Sequence, residues 1–528
     1  MRNRSNRLFL SVLATMFVAV VHAQSNATAD LAKSEWVSLD ANDKLQYQRL
    51  PQGDQIMDFS HAGYKGGGIA LPDVPVRVSV KPSGTGDDTK TIQAAIDQVS
   101  AMQPDKYGFR GAVLLTPGTF TCSETITITT SGVVLRGSGT GNEGPASTIQ
   151  MAGGKHTAIV VSRPRNRGAG GVTESARTVL TDRYVPSGSV MFAVENAADL
   201  AVGDTIQLRR PVTKAWLEFM EMDNLVRDGK PQIWIREGTR TVAERRISAV
   251  DGNRITVDVP LSDSYDAVYL NPPGTEVVKI SDSHRLNQCA VEYLHIVSPP
   301  QPFNHTQQLY AAVRLNGEDC WMRQVRIEET MNSVSIGGQR ITLQEVSVVR
   351  KARHEGSSKP SEFSPNGGQV LLDRCSVEGD NVWFAATGGG ISGPIVLLNC
   401  TFKGNGRIEG HQRWTTGILL DNCHLPNGGI DFKNRGSMGS GHGWGTGWSV
   451  AWNCVAKSYV VQRPPGTHNW AIGCIGESTP LPRPFDRSPL LPEGSFDAHG
   501  TPVAPRSLYL AQLEERLGKQ ALINIGYP

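Results

Sequence analysis

Titratable side chains are concentrated between residues 353 and 468, in three short motifs that each join an imidazole to a guanidinium or an indole. The motifs are Arg353-His354-Glu355, His411-Gln412-Arg413-Trp414, and Asn434-Arg435 with Ser440-Gly441-His442-Gly443-Trp444. A neutral imidazole is a suitable base near neutral pH, and a guanidinium binds a carboxylate through two parallel hydrogen bonds. Together they suit the removal of a proton from the carbon next to a carboxylate that is held and neutralised.

The elements that must position these motifs are predicted by a repeat. An apolar segment recurs as VLLDRC, VLLNC, ILLDNC, SVAWNC and NWAIGC, ending at Cys375, Cys400, Cys423, Cys454 and Cys474. The intervals of 25, 23, 31 and 20 residues are each about one coil of a parallel β-helix, whose coils stack strand on strand. The 56 glycines and the scarcity of helical periodicity favour the same all-β solenoid.

The repeat also predicts how its polar positions behave. Cysteine at one position of successive coils indicates small side chains stacked inside, so we expect mostly free thiols, although the eight cysteines of an exported chain also permit disulfides. Their spacing matches no zinc motif. Asn399, Asn422 and Asn453 precede three of the cysteines, where asparagine tolerates a left-handed turn and can bond to its neighbour in the ladder.

Counting back from the cysteines places the reactive residues in two stripes. His411 and His442 each lie 12 residues before their cysteine, and Arg463 lies 11 before its own. His354, Asp380 and Arg435 lie 21, 20 and 19 residues before theirs. Equivalent positions on adjacent coils are about 4.8 Å apart, so we expect these side chains to line one exposed groove.

Roles follow from residue type. The candidate catalytic residues are His411, His442, Arg413, Arg435 and His354, with a histidine as base or proton donor and the arginines as carboxylate clamps. The candidate substrate-binding residues are Arg353, Trp414, Trp444, Asp380 and Arg463. The indoles of Trp414, Trp444 and Trp448 could face sugar rings or pack at the base of a long loop, and the sequence leaves both open.

A motif near the N-terminus specifies the fold further. GDDTKTIQAAIDQVS, from Gly86 to Ser100, has one apolar helical face and an N-cap candidate in Asp88. It is followed by GAVLLTPGTF, ITITTSGVVLRGSG and STIQM. A GDDT helix, a PGTF strand end and SGVVLRGSG in this order resemble the entry to the right-handed parallel β-helices of the pectate-lyase-like superfamily. The resemblance implies a fold and does not identify a reaction.

Calcium is a further question that the resemblance raises, since many pectate lyases of this superfamily hold the ion in a carboxylate cluster. The acids near the stripes are scattered, at Glu355, Asp380, Glu409, Asp421 and Asp431. We therefore expect no required cofactor, and Ca²⁺ stays an open alternative because carboxylates could gather across coils.

The Gly-His-Gly motif at residues 441–443 is shared with polygalacturonases, but the other active-site motifs of that family are absent from the sequence. Inverting hydrolysis needs a carboxylic acid and a carboxylate on either side of the bond. The expected Asn-Thr-Asp is missing, and the only Asp-Asp pair, Asp87-Asp88, belongs to the N-terminal helix. A hydrolase that uses Asp380, Glu409 or Asp421 in another arrangement is left open.

The first 23 residues have the pattern of a signal peptide. Three arginines precede an apolar run from Leu8 to Val21, which at 14 residues falls short of the roughly 20 that span a bilayer. We expect a mature chain from about Gln24, secreted or periplasmic. Removal of residues 1–23 takes the formal charge from +2 to −1 (2 − 3), which predicts no general affinity for nucleic acid or membrane.

Two segments depart from the coil repeat. Residues 193–280 alternate apolar and polar positions around Asp-Gly turns, which predicts an antiparallel β insertion, with Trp216 and Trp234 packed on the coil surface. SLYLAQLEERLG, from Ser507 to Gly518, predicts an amphipathic helix over or beside the last coils. The predicted domains are 1–23 signal peptide, 24–77 N-terminal extension, 78–192 first coils, 193–280 insertion, 281–480 later coils with the site, and 481–528 tail.

The sequence thus predicts an all-β protein, a right-handed parallel β-helix with an N-terminal capping helix and an antiparallel insertion. We expect a secreted monomer that acts on an acidic polysaccharide, by β-elimination of a uronate-containing glycan. Two alternatives are kept, a glycoside hydrolase with paired carboxylates and a β-helix that binds glycan without cleaving it.

Overall fold

Three parallel ladders of strands, here called sheets A, B and C, form the core of the protein. The computed structural model describes residues 31–142, 144–163, 172–281, 285–485 and 487–528, so the predicted signal peptide lies outside the described residues. Within these ranges, 27 strands join in one parallel system, and each coil runs through A, then B, then C. The predicted parallel β-helix is confirmed.

The strands are distributed as follows. Sheet A contains Val76–Val80, Gly111–Leu115, Val133–Arg136, Gly368–Asp373, Ile391–Leu398, Thr415–Asp421, Ser449–Trp452, Asn469–Ile472 and Ser495–Asp497, with Thr446–Gly447 at its edge. Sheet B contains Gly118–Cys122, Ser147–Met151, Ser347–Val349, Ser376–Glu378 and Thr401–Lys403. Sheet C contains Ile126–Ile128, Thr157–Val161, Ala311–Glu318, Ser361–Pro365, Trp383–Thr387 and Arg407–Gly410. Six strands turn a corner between two sheets: Ala290–Val297, Trp321–Glu328, Val334–Gln344, His424–Phe432, Val455–Val461 and Ile475–Ser478.

The cysteine repeat marks the corner between sheets A and B. Every cysteine in the described residues is free and buried, as predicted. Asn399, Asn422 and Asn453 have φ of 50°, 53° and 50°, the left-handed turn that the sequence indicates. Their side chains bond to the C-terminal segment, however: Asn399 to the Tyr527 hydroxyl (2.9 Å), Asn422 to a carbonyl at Arg506 (2.9 Å). The prediction that neighbouring asparagines bond to one another is therefore wrong, because their side chains donate to the C-terminal tail instead.

Sheet A is apolar on both faces, which explains its unbroken runs of Leu, Val and Ile. Alternate residues fill the interior of the coils. The others lie outside under the N-terminal segment and the tail: Leu371, Val396, Leu419, Trp452 and Ile472 pack with Phe59, Leu508 and Leu513. The tail forms helices Leu508–Leu517 and Lys519–Asn524, and Ser507 caps the first by accepting from the Leu510 N–H (3.2 Å).

The N-terminal helix spans Thr89–Ser100 and buries the predicted apolar face. Its capping differs in detail from the prediction. Asp88 occupies the N-cap position, but its carboxylate accepts from the N–H groups of Ser83 (2.8 Å) and Thr121 (3.1 Å). Asp87 accepts from the N–H of Thr89 (2.7 Å), so the pair fastens the helix to the first coil as well as capping it.

The insertion is a six-stranded antiparallel sheet with two short helices. Its strands are Thr173–Val179, Met191–Ala193, Thr205–Pro211, Arg240–Asp251, Arg254–Val257 and Glu276–Ser281, and the helices are Lys214–Phe219 and Ala267–Leu270. Thr173–Val179 belongs to this sheet, so the insertion begins before its predicted start at residue 193. Trp216 and Trp234 stack at 4.9 Å and pack against Trp414 of the coils, as predicted.

Four two-stranded pairs and one 3₁₀ turn complete the described secondary structure. The pairs are Val37–Leu39 with Leu45–Tyr47, Ala32–Lys33 with Val503–Ala504, Tyr184–Val185 with Tyr265–Asp266, and Val226–Arg227 with Lys230–Pro231, and the turn is Tyr64–Gly66. No helix in the described ranges has the length and apolar character that crossing a bilayer requires.

Candidate functional site

The outer face of sheet C carries the densest group of charged and imidazole side chains. In strand Arg407–Gly410, Ile408 points into the coil interior, so its neighbours Arg407 and Glu409 lie on the outer side. Glu409 pairs in register with Asp431 of the next coil. Both carboxylates are fully buried although they face outward, and each is in contact with basic side chains.

Glu409, His411 and Arg435 contact one another and His442 packs beside His411, and these four residues are called here the histidine cluster. The His411 Nδ1 makes a short contact with Glu409 Oε1. Arg435 Nη1 lies 2.6 Å from the same Nδ1, so this nitrogen has both an acceptor and a donor beside it, while Nε2 makes no hydrogen bond within the described residues. Arg435 Nη1 donates to the same Glu409 oxygen (2.8 Å) and to the His411 carbonyl oxygen (2.9 Å). A quarter of the His411 side chain remains exposed, so its free nitrogen can reach a ligand.

His442 completes the cluster with a second imidazole. Its ring centroid lies 4.8 Å from that of His411. Burial, followed by the charges of Arg435, His411 and Arg413, lowers the pKa of His442 to about 3, so this imidazole is neutral. The loop closes tightly above the ring: Gly439 has φ of 59°, and a Cβ there would collide with Nε2 of His442.

Cations surround the cluster. Arg407 Nε (2.6 Å) and Lys433 Nζ (2.7 Å) both contact Asp431, and their charges hold its pKa at about 2 against the opposing effect of burial. Lys359 Nζ lies 5.0 Å from the Trp383 ring centroid, and the Arg435 guanidinium carbon lies 5.3 Å from it. These four cations and Arg413 outnumber the two buried carboxylates, so this face attracts anions.

Arg413 fastens the loop that carries His442. Its Nε donates to the Trp234 carbonyl oxygen of the insertion (2.7 Å), and its Nη2 donates to Ser440 Oγ (2.7 Å). Nη1 donates to the side chain of Gln412 (2.7 Å). With each of its nitrogens bonded within the protein, Arg413 positions the loop and contributes charge beside His442.

Trp414 and Trp444 do not offer faces to a sugar beside the histidine cluster, which corrects the sequence-based expectation for this groove. Each is 2% exposed and packs with the insertion. The Trp414 indole N–H donates to Asp263 (2.8 Å) and that of Trp444 to the Met220 carbonyl oxygen (3.0 Å). The insertion, whose docking the sequence does not specify, covers both rings.

The remaining predicted residues lie apart from the cluster. His354 contacts Phe303 (ring centroids 5.1 Å) and the Ser358 carbonyl (2.5 Å), and Arg353 beside it is exposed. Asp380 is exposed and accepts from the N–H of Asn405 (3.1 Å). Arg463 lines a separate cavity. The predicted stripe of His354, Asp380 and Arg435 is therefore not formed, because coils of unequal length shift positions counted across sheet C.

Sequence reasoning missed the role of Glu409 in holding His411, and it missed Trp383, Lys359, Arg407 and Lys433 altogether. A signal was present in two aligned motifs, RIEGH at 407–411 and GIDFK at 429–433, which are 22 residues apart and pair in register. Each puts an acid outward and a base two residues later. That alternation marks an outward face with paired charges.

The acids do not fit a calcium site. Within the described residues, no group of three or more His, Cys, Asp or Glu side chains is arranged to hold a metal. Glu409 and Asp431, the adjacent pair, already contact Arg435, Arg407 and Lys433. A divalent ion needs several oxygen ligands that are free of such partners.

Comparisons with known proteins bear on the fold alone. No protein-family model and no curated protein sequence matches the chain. The tailspike protein gp49 of Pseudomonas phage LKA1 is 14% identical over 77% of this chain and 67% of its own, with a TM-score of 0.39. The Gp54 tailspike of Acinetobacter baumannii bacteriophage AP22, solved in complex with A. baumannii capsular saccharide, is 11% identical over 79% and 71%, with a TM-score of 0.26. The A-module of the Azotobacter vinelandii mannuronan C-5 epimerase AlgE6 is 10% identical over 80% and 96%, with a TM-score of 0.28. All three are under 25% identical to this chain and have TM-scores below 0.5, so they assign it neither a superfamily nor a role.

Proposed function

We propose that this protein is a polysaccharide lyase that cleaves a uronate-containing glycan by β-elimination. The observation that carries the proposal is His411, whose Nδ1 is held by the buried Glu409 and whose Nε2 is free, with the Arg435 guanidinium in contact. A carboxylate that fixes the imidazole tautomer and supports its charge is a familiar way to make histidine a base. Glu409 is then a positioning residue and His411 the catalytic one.

The chemistry requires one group that moves a proton and one that stabilises negative charge. Nε2 of His411 takes the proton from C5 of the uronate, and the electrons of that C–H bond form the C4–C5 double bond as the C4–O bond breaks. The imidazolium so formed gives the proton to the leaving glycosidic oxygen, which balances the reaction. His442, whose pKa is about 3, stays neutral and serves to orient the substrate instead of acting as the acid.

Arg435 is the group expected to stabilise the developing charge on the uronate carboxylate. Three of its contacts use Nη1, to Glu409 Oε1 and to Nδ1 and the carbonyl oxygen of His411, and Nη2 has no hydrogen-bond partner among the described residues. Fixed cations that are already in place stabilise a transition state at little reorganisation cost. Lys359, Arg407 and Lys433 extend the positive field along the same face and favour an acidic polymer.

The state of the acids disfavours the hydrolase alternative. Glycoside hydrolysis needs one carboxylic acid that is protonated near neutral pH. Asp431 has a pKa of about 2 and stays ionised between Arg407 and Lys433. Asp421 has a pKa of about 7, but it is buried on sheet A under the C-terminal helix, and Asp380 lies apart from the cluster.

We further propose that the enzyme works outside the cytoplasm as a monomer without a metal cofactor.

The test of the lyase activity is to incubate purified protein with polymannuronate, polyguluronate and polygalacturonate, and to follow the ultraviolet absorbance of the unsaturated uronate together with reducing ends. Both signals should rise in parallel on at least one polymer. Reducing ends without absorbance would overturn the lyase and favour the hydrolase. Retention on an immobilised polymer without either signal would favour a glycan-binding β-helix.

A further inference from the structure

A second candidate site is a cavity of about 510 Å³ between the N-terminal segment, the residues that follow sheet C and the tail. It is enclosed by residues 50–54 of the N-terminal segment, residues 463–468 after sheet C, and residues 491–492 of the tail. Trp444, two residues after His442, lines it as well. The volume falls within the roughly 300–1,000 Å³ that small-molecule sites occupy.

The walls of this cavity are mainly apolar. They include four prolines and two leucines beside the indole of Trp448: Pro51, Pro464, Pro465, Pro492, Leu50 and Leu491. Prolines have rigid rings and lack an N–H, so they offer carbon surface with few groups that need hydration. Such walls favour a ligand with an apolar face.

A small number of unpartnered polar groups accompany the walls. The Trp448 side chain lines the cavity and is 3% exposed, and its indole N–H has no hydrogen-bond acceptor. His468 uses Nε2 to contact Ser495 Oγ (2.8 Å), and its Nδ1 has no partner among the described residues. Burial and the charge of Arg463 lower the pKa of His468 to about 4, so the imidazole is neutral. A buried donor without an acceptor costs about 1–3 kcal/mol, which a ligand oxygen would relieve.

The charges favour a neutral ligand. Arg463 is the cation of the lining, and Asp54 and Glu221 oppose it. Asp54 is already bonded to the Tyr184 hydroxyl (2.8 Å) and the Ser187 N–H (2.8 Å), so it is not available to the ligand. The cavity therefore lacks the excess of cations that surrounds the histidine cluster, and a second uronate is disfavoured.

We propose that this cavity binds a 6-deoxyhexose, a neutral sugar that carries a methyl group, as part of the same glycan or as a side branch of it. The proline and leucine walls match the methyl group, and the polar groups of the lining match the hydroxyls: the Trp448 N–H, His468 Nδ1, Arg463, Gln52 and Thr467. A hexose would bury an additional hydroxyl against the proline wall, at a cost of about 1–3 kcal/mol. The sugar class rests on the proposed glycan activity, while the neutral, methyl-bearing character rests on the cavity itself.

Saturation-transfer NMR with free sugars tests this proposal. The probes are L-rhamnose with L-mannose, and L-fucose with L-galactose, pairs that share stereochemistry and differ in the 6-hydroxyl. At least one deoxy sugar should bind more tightly than its hexose, by on the order of tenfold, with strongest saturation at its methyl protons. Equal binding within both pairs, or binding by neither, would overturn the proposal.

Variants tie any binding to the cavity. Trp448→Phe keeps a ring and loses the N–H, and Arg463→Ala alters an exposed residue that folding should tolerate. Both should weaken the binding of the deoxy sugar, and His411→Asn should leave it unchanged. Binding that survives Arg463→Ala and a folded Trp448→Phe would place the sugar elsewhere and refute the assignment. Sugar binding without cleavage of any uronate polymer would contradict the proposed function alone, and cleavage without sugar binding would contradict this inference alone.

Discussion

Asp421 and Asp431 lie on sheets A and C of one coil, and both carboxylates are fully buried. Their pKa values are nevertheless shifted in opposite directions. Burial raises the pKa of Asp421 to about 7. The N–H of Tyr509 and the hydroxyl of Ser507 donate to this carboxylate and lower its pKa, but by less than burial raises it. Burial acts on Asp431 as well, but Lys433 and Arg407 lower its pKa to about 2. Neutral donors only moderate the cost of burying a charge, whereas two cations reverse it.

The two outer faces of the β-helix are thus built for different purposes. Sheet A presents carbon and a few neutral hydrogen bonds, and it binds the C-terminal helix of the same chain. Sheet C presents charges that are fixed by pairing, and it leaves His411 partly exposed. An outer face that is exposed to solvent and carries charges in fixed orientations can act on a separate molecule.

His411→Asn should give the largest loss of activity on the sheet C face. Asparagine keeps an N–H toward Glu409 but has no base in place of Nε2, so we expect kcat/KM for β-elimination to fall by about 10²–10⁴. Initial rates of unsaturated product formation measure the effect. His424→Asn, a change at an exposed histidine of the next coil, is the matched control and should retain wild-type activity. A His411→Asn protein of near-normal rate would remove this residue from the mechanism.

Arg435→Met should break the charge pairing of sheet C. It leaves the fully buried Glu409 without its cation, and removing one partner of a buried pair costs about 3–5 kcal/mol in the free energy of unfolding. The double variant with Glu409→Gln should recover most of that loss, because no unpaired charge remains. Chemical denaturation of the single and double variants measures both values. Additive losses in the double variant would argue against the pairing.

Asp421→Asn tests the opposite face. The pKa of Asp421 is raised in the folded state, so its contribution to stability is full below the unfolded value near 4 and is lost as the pH rises through about 7. Asparagine has no such dependence, so relative to wild type the variant should gain stability as the pH rises from about 4 to about 7, by at most about 4 kcal/mol. Melting temperatures across this range check the sign. A gain toward acid pH would contradict the assignment, and activity should change little.

Chelation should have the smallest effect. The acids of sheet C are already paired with Arg407, Lys433 and Arg435, and they do not fit calcium. We therefore expect the elimination rate to be unchanged after treatment with EDTA and in added Ca²⁺, measured on the polymer that gives the highest rate. A loss on chelation that Ca²⁺ restores would show that the charge on sheet C is neutralised by a metal as well as by arginine.

The spacing of His411 and His442 was accessible from sequence for a physical reason. Thr415 pairs with Thr446 in the structure, an offset of 31 residues, and the two histidines have the same offset because no residue is inserted between each histidine and its cysteine. Arg435 lies before the extra residues of the long loop, so counting from Cys454 assigned it the wrong neighbours. Its contact with Glu409 depends on how that loop folds back.

The sequence by itself determined the coil, the cysteine corner, the left-handed asparagines and the alternation of inner and outer residues, because these depend on interactions that repeat at one short interval. Only the tertiary structure decided which outer residues stay accessible. The insertion buries Trp414 and Trp444, and the tail buries sheet A and Asp421. These contacts join segments hundreds of residues apart, and local pattern does not encode which faces they cover.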